Sequence, residues 1–331
     1  MNIKVLELPL TLRHRIAQRT AIQNPAARLS LALIFLLALP PLWLSLIAAP
    51  ALHVDVGMWG DHTFLSGVNA IEHSSSEDYR WTTERTQFTL PNLSSRYQLL
   101  RMRAHGWRPD GVSPPAVRLD VAGSAWGRLT LTPGMRMYSV LLPRDGARPT
   151  IAVGFASQVY QDRDNRQLGF ALDWIEARAI GRASGPTLWH MGGQALLLLL
   201  LVLLLWALAL PSGWTPALAA LLGGALVWAN MQQPLWVSQA IGPWLALAAL
   251  LLLATRLLEP RLQRALGPWM SPRQGRFAWA LFVAALVLRL TGALHPLFNA
   301  HDVDVHTSWL TLVDRGQLYL YSTPGEFHGQ Q

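Results

Sequence analysis

The sequence predicts a membrane α-helical protein of about five transmembrane helices carrying one extracytoplasmic all-β domain of jelly-roll or sandwich type. Three observations predict it. Of 331 residues, 51% are hydrophobic and only 14% charged, a balance that ordinary soluble domains do not reach. Five apolar runs approach the length of about 20 residues that a helix needs to cross a hydrocarbon core of roughly 30 Å. Between the first and second of them lies a long stretch with no such run, rich in Gly, Pro and short alternating segments.

Residues 1–28 form a basic leader, with five Lys or Arg against Glu7 across the first 29 residues. The first apolar run, 29–50, reads as an uncleaved anchor. Its rival is a cleaved signal peptide, because Ala49-Pro50-Ala51 has the small-x-small form of a cleavage site. The leader is long for a signal and the run nearly spans a bilayer, which favours the anchor.

Residues 51–186 read as a soluble insertion large enough for its own core. Period-two patterns occur at 53–58, 63–68, 86–90, 97–104, 117–121, 128–132, 137–142, 150–155 and 168–177. Turn signals separate them at Arg108-Pro109-Asp110-Gly111, Ala122-Gly123, Thr132-Pro133-Gly134 and Arg144-Asp145-Gly146. Short strands at this spacing predict an antiparallel sandwich, and no segment of the domain has helical period. Trp59, Trp81, Trp107, Trp126 and Trp174, beside Asp61, Arg80, His105 and Asp110, could stack on or bond to sugar rings. A tryptophan inside an alternating strand is more often core than platform. Trp107 differs, because His105-Gly106-Trp107-Arg108 leads straight into a turn; Trp107 and His105 are therefore the candidate glycan-binding residues.

Three more spans occupy 187–255, with apolar runs near 188–210, 216–231 and 237–253, the middle one containing Gly223-Gly224, where a neighbouring backbone could approach closely. A basic loop at 256–276 follows, with five arginines against Glu259. The fifth span, 277–294, contains Arg289. Parity places both basic stretches on one side if the N-terminus is cytoplasmic, as positively charged loops require. The sandwich and residues 295–331 then lie outside. The formal charge of +8 and pI near 10.7 thus need no nucleic-acid partner, since the basic residues are not gathered on one surface. With no cysteine, disulfides, thiolate chemistry and Cys-ligated metals are excluded.

The last segment, 295–331, is the only one with net negative charge. Asn299 and Asp302 form a capping pattern, Val303, His306, Leu310 and Val313 recur at helical spacing, and Gly316 ends the run. On such a helix Asp302 and His306 share a face, while Asp304 lies about 200° further round. A carboxylate at the positive end of a helix stays ionised and can accept a proton from an attacking hydroxyl. Arg289, costly inside a bilayer, would snorkel or pair with an acid or phosphate. His301, Asp302 and His306 could instead hold a divalent metal, or simply cap a helix.

Two stretches carry a resemblance. Tyr79-Arg80-Trp81-Thr82, Phe88-Thr89-Leu90-Pro91 and Arg166-Gln167-Leu168-Gly169-Phe170-Ala171-Leu172-Asp173 resemble the jelly-roll module inside large bacterial membrane glycosyltransferases, which is similar in shape to carbohydrate-binding sandwiches. The order "span, Leu288-Arg289-Leu290, Pro296, Asp302, helix, Arg315-Gly316-Gln317-Leu318-Tyr319" resembles the opening of the catalytic core in membrane-integral glycosyltransferases of the GT-C class, including polyprenyl-phosphate-dependent mannosyl- and aminoarabinose transferases. The resemblance implies an inner-membrane protein moving sugar from a polyprenyl-phosphate donor to a glycan, lipid or protein acceptor. Asp302 would be the essential acid, Asp304 and His306 would assist, and Arg289 would meet donor phosphate. That class has many more spans after this loop, so the resemblance also implies the N-terminal part of a longer protein, inactive in transfer by itself. The alternative is a non-catalytic, membrane-anchored glycan-binding or scaffold protein that works through its sandwich.

Overall fold

In the computed structural model, residues 25–293 are described apart from 49, 59, 74–77, 95–96, 144–147, 164, 182–184 and 209–213. Asp302, Asp304 and His306 lie outside the described residues. The chain runs α1 (Pro25–Ile47), β1 (Leu52–Asp55), β2 (Leu65–His73), β3 (Asp78–Pro91), β4 (Tyr97–His105), β5 (Ala116–Val121), β6 (Ser124–Thr130), β7 (Arg136–Leu142), β8 (Thr150–Ser157), β9 (Tyr160–Gln161), β10 (Gln167–Leu168), β11 (Ala171–Ile180), α2 (Leu188–Ala207), α3 (Trp214–Gln232), α4 (Pro234–Leu266) and α5 (Pro272–Ala293).

Nine strands form one curled antiparallel sheet in the order β6-β5-β8-β3-β11-β4-β7, with β2 added to β3 and β1 to β11, and β9 and β10 pair separately. The curl comes from β3. Its C-terminal half pairs with β8 from Arg85 to Pro91, and its N-terminal half pairs with β11 at Arg80 and Trp81. One strand thereby serves both layers, as happens at the corner of a β-sandwich. Alternation then fills the interior: Leu100, Met102 and Ala104 of β4 face Val117 and Leu119 of β5, Val153 and Phe155 of β8, and Phe88 of β3 in one buried cluster. Phe155 and Phe170 meet edge to face at 5.9 Å. Ala122 (φ 53°) and Gly123 (φ 86°) close the β5–β6 hairpin, a turn that needs two left-handed residues.

The strands differ from the sequence expectation in three places. β3 begins at Asp78 rather than near 86, because its polar first half is held by neighbours on both sides rather than by its own alternation. The run 168–177 breaks into β10 and β11 at Gly169, where a Cβ would stand 2.4 Å from the Thr82 hydroxyl. A three-residue 3-10 turn occupies Asp61–Thr63, where the sequence showed no helical period.

Five helices cover the five apolar runs. Three of them, Leu188–Ala207, Trp214–Gln232 and Pro234–Leu266, are long and apolar enough to cross a membrane. The count of five spans is not met on that criterion among the described residues: the apolar part of α1 is the shorter Ala32–Ile47, and α5 carries Arg273, Arg276 and Arg289. The expected basic loop 256–276 is largely helical, because α4 continues to Leu266. Arg, Leu, Gln and Glu are good helix formers, so charge here sets no helix end.

Packing steps fix the direction of each helix. α3 runs alongside α1 in parallel, with Ala219 against Phe35 and Ala38, Leu226 against Leu42 and Asn230 bonded to Ser45. A Cβ at Gly223 would lie 3.5 Å from Ala38, an ordinary van der Waals contact, so the expected close backbone approach at Gly223-Gly224 does not require glycine there. α2 parallels α4, Leu197 lying by Val237 and Ile241 and Leu204 by Leu251. α5 returns antiparallel, Trp279 donating to Thr255 and Val283 packing on Leu251.

The sandwich stands on one end of this bundle. Leu46, Leu235 and partly buried Trp236 join its core, with Phe64 edge-on to Trp236 at 5.0 Å. The Thr187 hydroxyl donates to the Asn92 carbonyl at 2.7 Å, and the His190 ring donates to the Pro149 carbonyl at 2.9 Å. α4, about 50 Å long at 1.5 Å per residue, therefore carries Arg256, Arg261 and Arg264 to the end remote from the sandwich.

Candidate functional site

The site builds from Gly106 at the end of β4. Its N–H donates to Thr132 at 3.0 Å, and a Cβ would lie 2.8 Å from both Leu131 and Pro115, so only glycine lets the chain leave the sheet so closely. The next N–H, of Trp107, donates to His105 Nδ1 at 3.2 Å. Arg108 then folds back and donates to the carbonyls of Trp107 and Gln158, each at 2.9 Å, and to that of Gly169. Burial lowers the pKa of its guanidinium, which still stays charged as arginines do. Val112 N–H closes the following turn on Pro109 at 3.1 Å, with Gly111 left-handed at φ 84°. The result is a braced loop whose indole, Trp107, is 48% exposed. Val112 and Val159 are exposed as well.

His105 stands between this loop and an aromatic cluster. Its ring lies edge-on to Trp81 at 5.2 Å and Tyr79 at 5.9 Å. Glu72 anchors the cluster, accepting from Trp81 Nε1 at 3.1 Å, Tyr79 OH at 3.2 Å and Arg166 at 2.7 Å. Burial, then the Glu72 charge, raises the Tyr79 pKa; bonds from Glu72 and then Asp162 raise that of Arg166. Arg166 thereby clamps the β9–β10 hairpin over Trp81, Leu168 and Ala171.

The other sequence candidates separate. Trp81 is buried. Asp61, itself buried, accepts from Arg80 at 2.7 and 3.2 Å and from Gly57 N–H at 2.8 Å, so this pair closes a loop and offers nothing to a ligand. Trp126 is exposed, but its N–H is used on Leu141 at 2.8 Å. Asp110 is exposed in the turn, and Trp59 lies outside the described residues. Arg289 is exposed on α5, far from the aromatic cluster in sequence. The catalytic and metal candidates His301, Asp302, Asp304 and His306 are outside the described residues, among which no His/Cys/Asp/Glu group could hold a metal ion.

Sequence reading missed a polar row on the outer face of the sheet. Arg101 opposes Glu176, which opposes His53; Arg103 opposes Trp174, which opposes Asp55. Arg101 bonds Glu176 at 3.3 Å and Arg103 bonds Asp173 at 2.5 Å, while the His53 and Trp174 rings lie 5.5 Å apart. Burial, then the neighbouring Asp173, raises the Asp55 pKa. Alternating charge in Arg101-Met102-Arg103 and Trp174-Ile175-Glu176 was the available signal.

No protein-family model matches the chain, and no curated protein matches it. Solved structures are similar to part of the chain. A family 35 carbohydrate binding module from an environmental isolate is 14% identical, covering 39% of this chain and 94% of its own, with a TM-score of 0.30. Another, from Clostridium thermocellum, is 9% identical over 40% of this chain and 100% of its own, with a TM-score of 0.29. A family GH115 4-O-methyl-alpha-glucuronidase is 9% identical over 39% of this chain, TM-score 0.30, and the match spans only 18% of its length.

Proposed function

We propose that this is a membrane-anchored glycan-binding protein, held in the bacterial cytoplasmic membrane by its helix bundle and presenting the sandwich outside. The observation that carries the binding reading is the exposed indole of Trp107 on a loop braced by backbone and Arg108 hydrogen bonds beside His105, at the sandwich end away from the bundle. A flat apolar ring carried on an ordered loop stacks on the C–H face of a sugar at a reduced ordering cost. The anchoring reading rests on an inversion: Gln194, Asn230 and Ser45 are buried in the bundle while Leu221, Leu250, Leu253 and Leu288 are exposed. Membrane lipid is the solvent in which that arrangement is stable. The test is glycan-array binding by the full chain in lipid nanodiscs. Trp107→Ala should lower apparent affinity about tenfold or more, as loss of a central aromatic contact does, and Trp126→Ala should leave it unchanged. Equal binding by wild type and Trp107→Ala would remove the reading.

The second reading is sugar transfer from a polyprenyl-phosphate donor, with Asp302 as base, Asp304 and His306 assisting and Arg289 at donor phosphate. What supports it is the resemblance around residues 288–319 and the course of α5, which runs toward the sandwich end of the bundle and bears Arg289 exposed. In a full-length version of the longer protein that the resemblance implies, transfer by Asp302→Ala at the wild-type rate would dispose of it.

A further inference from the structure

The α4–α5 hairpin concentrates charge that the sandwich and bundle do not use. Between residues 256 and 276 five arginines face a single acid, Glu259. Glu259 lies in the field of Arg256 from its own helix and Arg276 from the next, so arginines of both helices converge. Arg261, Arg264 and Arg276 bond only carbonyls of their own helices, each at 3.3 Å, and none of the five forms an ion pair among the described residues.

Geometry sorts the hairpin into two faces. At about 100° per residue, Leu258, Leu262 and Leu266 fall within an arc of roughly 80°, all of them exposed. Arg264, Arg261 and Arg256 occupy a different arc of roughly 140°. Glu259 and Gln263 bond each other on the side toward α5, where a Cβ on Gly275 would sit 3.9 Å from Gln263. At the tip, Trp269 is 85% exposed. α4 is about 50 Å long against a hydrocarbon core of roughly 30 Å, so its last turns must emerge from the core.

We infer that this hairpin binds the phosphate headgroups of anionic phospholipids at the membrane face opposite the sandwich. The inference rests on the membrane-spanning reading proposed above. Leu258, Leu262 and Leu266 enter the acyl boundary, Trp269 sits at headgroup level, and the arginines meet phosphate. Clustered arginines beside a span attract anionic lipid, and guanidinium forks match phosphate oxygens.

The full chain, reconstituted with spin-labelled phosphatidylglycerol or spin-labelled phosphatidylcholine, should immobilise the first in preference to the second. Replacing Arg256, Arg264, Arg273 and Arg276 together by Gln should cut that preference about tenfold, with the circular dichroism spectrum unchanged. No preference in the wild type, or a preference surviving the substitution, would overturn the proposal. So would displacement of the labelled lipid by inorganic phosphate at matched ionic strength, which would assign the arginines to a free anion. Because the chain has no native cysteine, Ser113→Cys and Pro268→Cys can each be labelled by an impermeant maleimide. Labelling from the same side would overturn the spanning reading and this proposal together; opposite sides without lipid preference would overturn this proposal alone.

Discussion

The sandwich and the helix bundle both bury apolar side chains, but they differ in what they leave outside. Inside the sandwich lie Phe88, Phe155, Phe170 and Leu119, and its outer row is Arg101, Arg103, His53 and Glu176. Inside the bundle, Gln194 and Asn230 exchange two amide hydrogen bonds at 2.7 and 2.9 Å, and Asn230 also donates to Ser45 at 3.1 Å, while leucines cover the outside. Only 33%, 28% and 22% of the apolar windows in α2, α3 and α4 are buried. On the membrane reading proposed above, one chain is folded for two solvents, with the boundary at Leu46, Thr187 and Leu235.

Four substitutions break or sharpen that contrast. Phe88→Ala, at a side chain with no exposure, should cost the sandwich about 3–5 kcal/mol, read by denaturant unfolding followed through tryptophan fluorescence. Leu221→Arg, at a residue 66% exposed in mid-α3, should penalise membrane insertion by about 2.5–3.5 kcal/mol and lower the yield of integrated protein; in a water-facing helix it would be silent. Asn230→Leu should weaken the bundle by roughly 0.6–2 kcal/mol, the range for buried hydrogen bonds in membrane proteins, seen as a lower midpoint in detergent unfolding. Asp55→Asn should act least and in the opposite direction. Its raised pKa means the folded state holds the Asp55 proton more tightly than the unfolded one, so its penalty is complete above the folded pKa and relieved as pH falls through it. The variant should therefore melt higher at neutral pH, and that gain should vanish in acid.

Much of this contrast was legible in the sequence. All five helices fall within a few residues of the apolar runs except where α4 continues past Arg256, because arginine marks a side of the membrane and not a helix end. Most strands were visible as alternation. The first half of β3, Asp78-Tyr79-Arg80-Trp81, was not, since its polar residues are held by β2 and β11 from regions distant in sequence. The same reason divides the site. His105-Gly106-Trp107-Arg108 could be read because a turn is local. The alternation of Arg101-Met102-Arg103 and Trp174-Ile175-Glu176 marked single strands, but the Arg101–Glu176–His53 row exists only once β4, β11 and β1 are in register.

That register has a consequence for how the molecule is made. β1 follows α1 directly and β11 precedes α2, and the two strands lie side by side, Leu52 opposite Ala177. The domain therefore enters and leaves the bundle through one doorway, like a cassette plugged into a helical hairpin. During synthesis β1 emerges first and must wait about 125 residues for β11, a separation that makes its pairing slow. Its final seal comes later still, when Leu235 and Trp236 at the head of α4 arrive beneath Phe64. The last part of the sandwich's core is thus translated after the sandwich itself, which ties completion of that domain to assembly of the helix bundle.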